Sequence, residues 1–599
     1  MPDSPTRSTF AYQASVVALL AVHISLLAWE ASCNSITWDE VGHLPAGLSH
    51  WELGRFDLFR VNPPLVRMAA TLPLGLLHPK TSWSSCPPGI AARMEHQIGK
   101  EFIQANGVRS FWYCTVARWF CLPFSLIGAL VCQRWAKELY GRAAGLIALC
   151  LWCFCPNILA HAQLITHDAG AAALGVLAGY SFWKWLCRAT WKWAFLAAIA
   201  MGLAELSKTT WLVLFGLWPA LWLMRRSTFT APSLGSELRP PLMQLVAMLA
   251  ISVAMINAGY CFERSFVRLG DYQFNSRALA GVSAMTRRNS FANGWLAELP
   301  VPLPMNYVIG IDATKAELER GAWSFLRGEW RKGGWWYYYL YALAVKIPLG
   351  TWVLLAASAL ARVRGVVRPE RWHDEVALLA PAAAVLLLVS SQTGFNHHLR
   401  YVLPALPFAY IWISALGGAF KLGHWAMAAT TGGALAWAIA SSLSVYPYTT
   451  TYFNELVGGP LGGPERLSDS NVDWGQDLLH LKHWIDLHPE ASPIGFSYVV
   501  PLIDPKIAGI EWHAIPPGAD AMNGVDDWGL SREAKGPQPG WFALSVNHIH
   551  DRKRQYRYFL RFKPAAMAGY STYIYHITAQ EANRVRRTYG LPPLAVGDE

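Results

Sequence analysis

Charge is scarce in this sequence. Asp, Glu, Lys and Arg make up 15% of the 599 residues, hydrophobic residues make up 53%, and the mean hydropathy is +0.22. So little charge excludes an ordinary soluble multidomain chain and points to a polytopic membrane protein. Neither a GxxxxGK[ST] loop nor a GxGxxG turn occurs, so nucleotide-driven transport and dinucleotide chemistry have no foothold. No internal repeat stands out of the kind that builds a transporter from inverted halves. The ten cysteines offer no disulfide framework. Most, including Cys150, Cys153 and Cys155, fall in apolar runs and read as small buried side chains. Cys33 and Cys86 flank the first long loop, and a bridge between them is open if that loop faces an oxidising compartment. A cleavable leader is not expected, because the run 10–29 is of spanning length and lacks a small-residue cleavage site.

Apolar runs and tryptophan are abundant instead. The 30 tryptophans stand largely at the ends of apolar runs, as an aromatic belt requires. Runs near the ~20 residues a membrane helix needs occur at 10–29, 112–132, 143–160, 169–186, 193–207, 210–224, 241–260, 337–361, 376–391, 401–419 and 425–445, about eleven spans. The net charge of +11 is spread as small basic groups between these runs, a topological pattern and not a nucleic-acid patch. Threading the runs alternately with the N-terminus in the cytoplasm gathers Arg134, Lys137 and Arg142, then Lys184, Arg188 and Lys192, then Arg225, Arg226 and Arg239, then Arg362, Arg364, Arg368 and Arg371 on the cytoplasmic side. A membrane module over 1–445 follows. The outer face receives a first loop 30–111, a second loop 261–335, the turns holding Asp168, Lys208 and Arg400, and everything in 446–599.

The first loop opens on Ile36-Thr37-Trp38-Asp39-Glu40-Val41-Gly42-His43. An acidic pair directly after a span belongs at a water-facing surface, since a charge at the bilayer centre costs about 2.5 to 3.5 kcal/mol on insertion scales. One reading is a helix start capped by Thr37, with both carboxylates facing the positive end of the helix dipole. Asp39, His43 and His50 then recur at helical spacing, which predicts an interfacial helix with a solvated, titratable stripe and leaves a metal site on those three residues conceivable. Asn62-Pro63-Pro64 breaks that helix. Trp335-Trp336-Tyr337-Tyr338-Tyr339 reads as an aromatic girdle, and Lys346, about two turns into the following run, either snorkels outward or faces a polar cavity. From 446 on, the composition becomes mixed, with strand-like runs at 493–500, 540–546 and 572–577 and an amphipathic run to Leu487. This predicts a small extracytoplasmic α/β or α+β domain.

Topology thus collects acids (Asp39, Glu40, Asp168), cations (Lys208, Arg400, Lys346) and the hydrogen-bonding residues Asn62 and Tyr401 on one face. A carboxylate there suits a general base, and cations at span ends suit the phosphate of a lipid carrier. Each also has a structural reading: Asp168 as a helix cap, and Lys208 and Arg400 as snorkelling or paired side chains. A lipid or sugar transporter, or flippase, is the alternative class, and it calls for charges near mid-span, where these acids are not.

The ordered motifs Trp38-Asp39-Glu40, Asn62-Pro63-Pro64-Leu65, Pro156-Asn157-Ile158-Leu159-Ala160-His161 leading to Thr166-His167-Asp168, Leu206-Ser207-Lys208-Thr209, Lys346-Ile347-Pro348-Leu349 and Arg400-Tyr401-Val402-Leu403-Pro404 resemble those of bacterial phospholipid-carrier-dependent glycosyltransferases. These are relatives of protein O-mannosyltransferases and of the lipid A aminoarabinose transferase, with the GT-C architecture. The resemblance implies transfer of a sugar from a polyprenyl phosphate to a protein, lipid or glycan acceptor at the outer face of the bacterial inner membrane. Asp39 would be the base, Glu40 its neighbour in the donor or acceptor site and Asp168 the second acid. Lys208, Arg400, Tyr401 and Lys346 would hold the phosphate. His43, Asn62, Asn454, Glu455, Asp473, Trp474 and Gln476 are further candidates for substrate contact, with Trp474 able to stack on a sugar face. Cationic side chains suffice for the leaving phosphate, so no cofactor is required, although a divalent metal on Asp39, Glu40 and Asp168 remains open.

Overall fold

The computed structural model describes residues 7–84, 94–227, 239–281, 289–367, 372–420, 425–522 and 530–595. Cys86, Arg368 and Arg371 lie outside the described residues. Every expected apolar run is helical, but several are neither straight nor long. Among the described residues six helices are long and apolar enough to cross a membrane, or up to eight if each of two bent pairs is one span. The six are Thr9–Cys33, Arg109–Tyr140, Pro240–Gly259, Trp372–Ser391, Leu399–Gly418 and Trp425–Leu443. The helices His167–Cys187, Trp191–Ser207 and Val213–Ser227 complete the bundle.

Proline accounts for both bends. The residue before a proline is pushed out of the helical region, and proline itself is well placed to start the next helix. Cys155 is accordingly extended (ψ 122°) ahead of Pro156, and the helices Arg142–Cys153 and Pro156–Ala162 meet at 58°. Ile347 is extended (ψ 135°) ahead of Pro348, and Tyr338–Lys346 meets Leu349–Val363 at 109°. The expected single run 337–361 is therefore folded back on itself, and Lys346 ends one arm of the bend. Small residues let the central helices approach: a Cβ on Gly175 would lie 1.8 Å from the Trp211 ring.

The two ends of the bundle differ in chemistry. At one end the basic connections meet acids: Glu138 takes Arg134 from its own helix and Lys184 from another, while Arg225 reaches Asp374 and Arg362 reaches Glu375 across helices. Asp168 (at the start of His167–Cys187), Lys208 (at the end of Trp191–Ser207) and Arg400 all occupy the other end.

Over that second end lie the long loops and the C-terminal layer. The helix Trp38–Leu53 carries a capping box between Thr37 and Glu40 and ends on Gly54 in the left-handed region. It is buried over most of its length, so the expected solvated stripe is overturned: His43 and His50 are 1% and 5% exposed. Its cover is the helix Glu95–Asn106, which crosses at Gly99, where a Cβ would come within 2.2 Å of the Val41 carbonyl oxygen. The second loop contains the helix Met305–Arg320 and an antiparallel hairpin of β1 (Trp323–Leu326) and β2 (Glu329–Lys332). Of the expected aromatic girdle, Trp335, Tyr338 and Tyr339 are buried in protein, and Trp336 and Tyr337 are exposed.

The C-terminal sheet is mixed, with strands β3 (Ile494–Ser497), β4 (Trp512–His513), β5 (Gly540–Ser545), β6 (Ala566–Ala568) and β7 (Thr572–Ile577) in the order β4-β3-β5-β7-β6. β3 runs parallel to β4 and β5, and β7 runs antiparallel to β5 and β6. The helix Leu478–Leu487 covers it with Leu478, Leu481 and Ile485. These side chains share one apolar cluster with Ile36, Val41 and Leu44 of the first loop.

Gly99→Ala is expected to cost about 1–3 kcal/mol or more, because the added methyl meets backbone with no room to shift. Gly216→Ala, in a helix with open space around the position, is expected to be neutral or slightly stabilising. Thermal unfolding of the two variants in one detergent checks the pair, and equal melting temperatures would contradict the packing described.

Candidate functional site

Between the bundle end and the covering layers lies a cavity of about 1040 Å³. Two acids and two bases are joined on its wall. Arg400 Nη1 sits 2.9 Å from Asp39 Oδ2 and 3.5 Å from Asp168 Oδ2, and Lys208 Nζ sits 2.6 Å from Asp168 Oδ1. Asp168 is nearly enclosed, with 4% of its side chain exposed, whereas Asp39 keeps 25% and looks into the open space. The cations are also held by aromatic faces, with Lys208 4.8 Å over Tyr401 and Arg400 4.2 Å over Trp474. Arg400 Nε is buried and has no hydrogen-bond partner.

Other expected residues join the same wall. His43 stacks on Phe59 at 4.5 Å and meets the His167 ring at 4.6 Å. Burial holds His43 well below the usual histidine range and pushes His50 down to about 3. Both histidines are therefore neutral, and His50 turns away from the cavity to bond the Arg55 carbonyl. Asn62 lines the cavity too. The carbonyls of Asn62 and Pro63 accept hydrogen bonds from Arg67, and His167 Nε2 lies 3.1 Å from Pro63 O. Asp473 and Trp474 close the opposite side, with Asp473 accepting from the Ser545 hydroxyl and the Gly475 amide.

Five expected site residues do not reach the cavity wall. Glu40 is fully buried. Arg118 donates to both its oxygens, at 2.6 and 2.8 Å, and Ile165 N and Thr37 donate as well. Burial alone would raise its pKa, but Arg118 and these amides hold the carboxyl below the ordinary range. Lys346 neither snorkels nor faces the cavity: Nζ donates to the Thr450 and Asn471 carbonyls under the Phe453 ring. Asn454 donates to the carbonyls of Ala344 and Ile347 and so braces the same bend. Gln476 ties Trp474 N to Val472 O. Glu455 is exposed and accepts from Trp437. The metal sets considered from sequence are likewise not assembled, since Asp39 and Asp168 turn to cations, Glu40 to Arg118, and His50 to a carbonyl.

The segment 470–477 acts instead as a clamp on the start of the Asp39 helix. Ser35 N donates to Gln476 O (2.9 Å), Trp38 N donates to Trp474 O (3.0 Å), and Ser35 Oγ accepts from Leu478 N. Asp477 beneath it accepts from the Ser571 amide and hydroxyl, and burial raises it to about 7, as burial raises Asp473 to about 6. The sequence reading missed Arg118 and the group His397, His398 and Asp469. Arg118 was findable as an arginine inside an apolar run, which must have a partner. The histidine doublet had only its place beside Arg400 to single it out.

Solved structures resemble the chain over most of its length. ArnT from Cupriavidus metallidurans bound to undecaprenyl phosphate covers 93% of this chain and 97% of its own, at 11% identity and a TM-score of 0.43. Its apo form gives 94%, 98%, 13% and 0.44. The oligosaccharyltransferase AglB of Archaeoglobus fulgidus, with an inhibitory peptide and a dolichol-phosphate, matches 74% of this chain and 55% of its own, at 15% identity and a TM-score of 0.39. Both proteins are GT-C glycosyltransferases. No protein-family model and no curated protein matches the chain. At such identities and TM-scores the likeness carries no argument about the site, whose chemistry stands on its own residues.

Glu40→Gln is expected to destabilise the fold by about 3–5 kcal/mol, because it leaves the Arg118 charge buried without its partner. Folding yield and melting temperature should fall together, and a stable but inactive variant would return Glu40 to the chemistry. Asp477 gives a pH signature. Its folded pKa of about 7 lies above the ~3.9 of an unfolded aspartate. The stability from its bound proton is therefore full below pH ~4 and is lost as pH rises through 7. Asp477→Asn should exceed wild type in melting temperature at pH 8, with the gap closing by pH 5, and parallel profiles would refute the assignment.

Proposed function

We propose that the protein is an integral membrane glycosyltransferase that moves a sugar from a polyprenyl-phosphate donor to an acceptor hydroxyl or amine at the outer face of the membrane. The observation that carries this reading is Arg400, which has one nitrogen on both acids, a buried unpartnered Nε, and a place in a cavity that runs from a carboxylate to apolar side chains. Leu212, Val213, Leu388 and Val389 form the apolar side, on helical segments that belong to the bundle. A lipid phosphate has that polarity, an anionic head on an apolar tail. An arginine with an unused donor edge suits the head.

In this reading Asp39 takes the acceptor proton as the acceptor oxygen or nitrogen attacks the anomeric carbon. The bond from that carbon to the phosphate oxygen breaks, and the lipid phosphate leaves with the electron pair. One displacement inverts the anomeric centre. Arg400 and Lys208 stabilise charge on the departing oxygens, while Asp168 keeps both cations in place. All eleven apolar runs enter the bilayer, with the ion-paired basic end in the cytoplasm of a bacterial inner membrane. The sheet layer then lies outside, as a C-terminal domain from residue 446. The clustering of basic turns at the end opposite the cavity supports this orientation.

Purified protein in nanodiscs with an undecaprenyl-phosphate-linked sugar tests the proposal through release of undecaprenyl phosphate. Asp39→Asn is expected to lose about 10²–10⁴-fold in rate with its melting temperature retained, the usual contribution of a positioned base. Lys208→Ala should chiefly raise KM for the donor. Full activity in Asp39→Asn removes Asp39 as the base, and movement of the lipid across the bilayer without sugar release replaces the transferase with a flippase.

A further inference from the structure

We propose that His397, His398 and Asp469 bind a divalent cation of the zinc class on the wall of the cavity, with one coordination position open to the substrate. Binding depends on these residues alone, and the ion's part in the chemistry rests on the transfer reading above.

The donors converge. His397 Nδ1 is 3.0 Å from Asp469 Oδ2, His398 Nδ1 is 3.5 Å from Asp469 Oδ1, and one ligand atom from each residue lies within 4.8 Å of the others. A tetrahedral zinc shell with arms of about 2.0–2.1 Å has edges of about 3.3 Å, and each histidine Nδ1 lies near that distance from one oxygen of the Asp469 carboxylate. Two imidazoles and a carboxylate suit a borderline ion, whereas magnesium and calcium take oxygen donors. Three protein ligands with a free fourth position is also the pattern of catalytic sites, not of structural ones.

The rings are held in place before any ion arrives. Phe395 stacks on His397 at 4.2 Å and 11°, and Tyr401 meets the His398 ring edge-on at 5.4 Å. Asn547 of the sheet layer accepts from Asp469 N and fixes the carboxylate's backbone. His397 Nε2 is buried and has no partner. His397 Nδ1 and Asp469 Oδ2 face one another in a 3.0 Å hydrogen bond, and an ion binding there takes the place of the shared proton, which moves to Nε2. An ion displaces the Ser470 hydroxyl from His398 Nδ1 and the direct hydrogen bond between His397 Nδ1 and Asp469.

Charge balance supplies an independent reason. Arg400 and Lys208 are already neutralised by Asp39 and Asp168, so a phosphate entering the cavity adds a negative charge that those four residues leave uncompensated. A dication on one carboxylate and two neutral imidazoles contributes a net positive charge on the same wall. Arg400, two residues after His398, places that charge next to the donor phosphate.

The test uses the purified full chain, stripped with chelator and titrated with Co²⁺ as a spectroscopic probe and with Zn²⁺ in competition. About one ion per chain is expected, with the visible bands of low-coordinate Co²⁺ that Zn²⁺ abolishes. His397→Gln and Asp469→Asn should each weaken binding at least tenfold without loss of melting temperature, while Asp39→Asn should leave it unchanged. Absence of binding in the wild type, or unchanged binding in both ligand variants, overturns the site. Binding by a chain that shows no sugar transfer upholds the site and counts against the transferase. Full-rate transfer by the stripped protein overturns the ion's role at the phosphate.

Discussion

The Glu40–Arg118 ion pair is the interaction through which the site is assembled. Arg118 reaches from the helix Arg109–Trp119 to the carbonyls of Ala31, Asn34 and Ser35 and to Glu40, and Glu40 in turn accepts from Ile165 N. One buried pair thus joins the end of the first span, the start of the Asp39 helix, a second helix and the approach to Asp168. Both acids of the cavity are within three residues of an atom that this pair holds. A buried ion pair is a poor source of net stability, because desolvation offsets most of the attraction. Its use here is geometric: it admits one arrangement of four segments and penalises the others.

A second constraint comes from the C-terminal layer. The backbone of 474–476 pairs with residues 35 and 38, and Trp474 lies beneath the Arg400 guanidinium, so the same few residues position the acid and the cation of the Asp39–Arg400 pair. Lys346 and Asn454 lock the folded-back helices Tyr338–Lys346 and Leu349–Val363 against 450–471 from the other side. The covering layer is therefore part of the cavity wall, and its polar motifs serve mainly to hold the bundle residues in register.

Much of this was legible in the sequence. The apolar runs and the strand runs 493–500, 540–546 and 572–577 correspond to observed helices and strands, and Asp39, Asp168, Lys208 and Arg400 do meet. Adjacent identical chemistry was harder to read. Asp39 and Glu40 differ in role only because Arg118, 78 residues on, faces one of them, and periodicity carries no information about such a partner. The stripe of Asp39, His43 and His50 has the spacing of a solvated face, yet Gly47 and Gly99 let neighbouring backbone, and Gly42 the Glu95 side chain, close over it, and close approach is a pairwise property. Lys346 reads as lying inside a continuous span because the apolar run 337–361 is long enough to mask the Ile347-Pro348 break, which bends the chain by 109°.

The environment of Arg400 shows why a simple cation would not serve at its position. Its guanidinium is planar and lies 4.2 Å over the Trp474 ring, which a compact ammonium would meet without stacking. Its Nη1 spans two carboxylates while Nε remains a separate donor on the same rigid fork. A lysine could satisfy one acid but would leave no oriented donor for a ligand. Lys208, by contrast, has a single strong partner in Asp168 and an aromatic face in Tyr401, the surroundings of a point charge. The two cations are thus suited to different tasks, one to orient an anion and the other to hold the field that keeps Asp168 ionised between them.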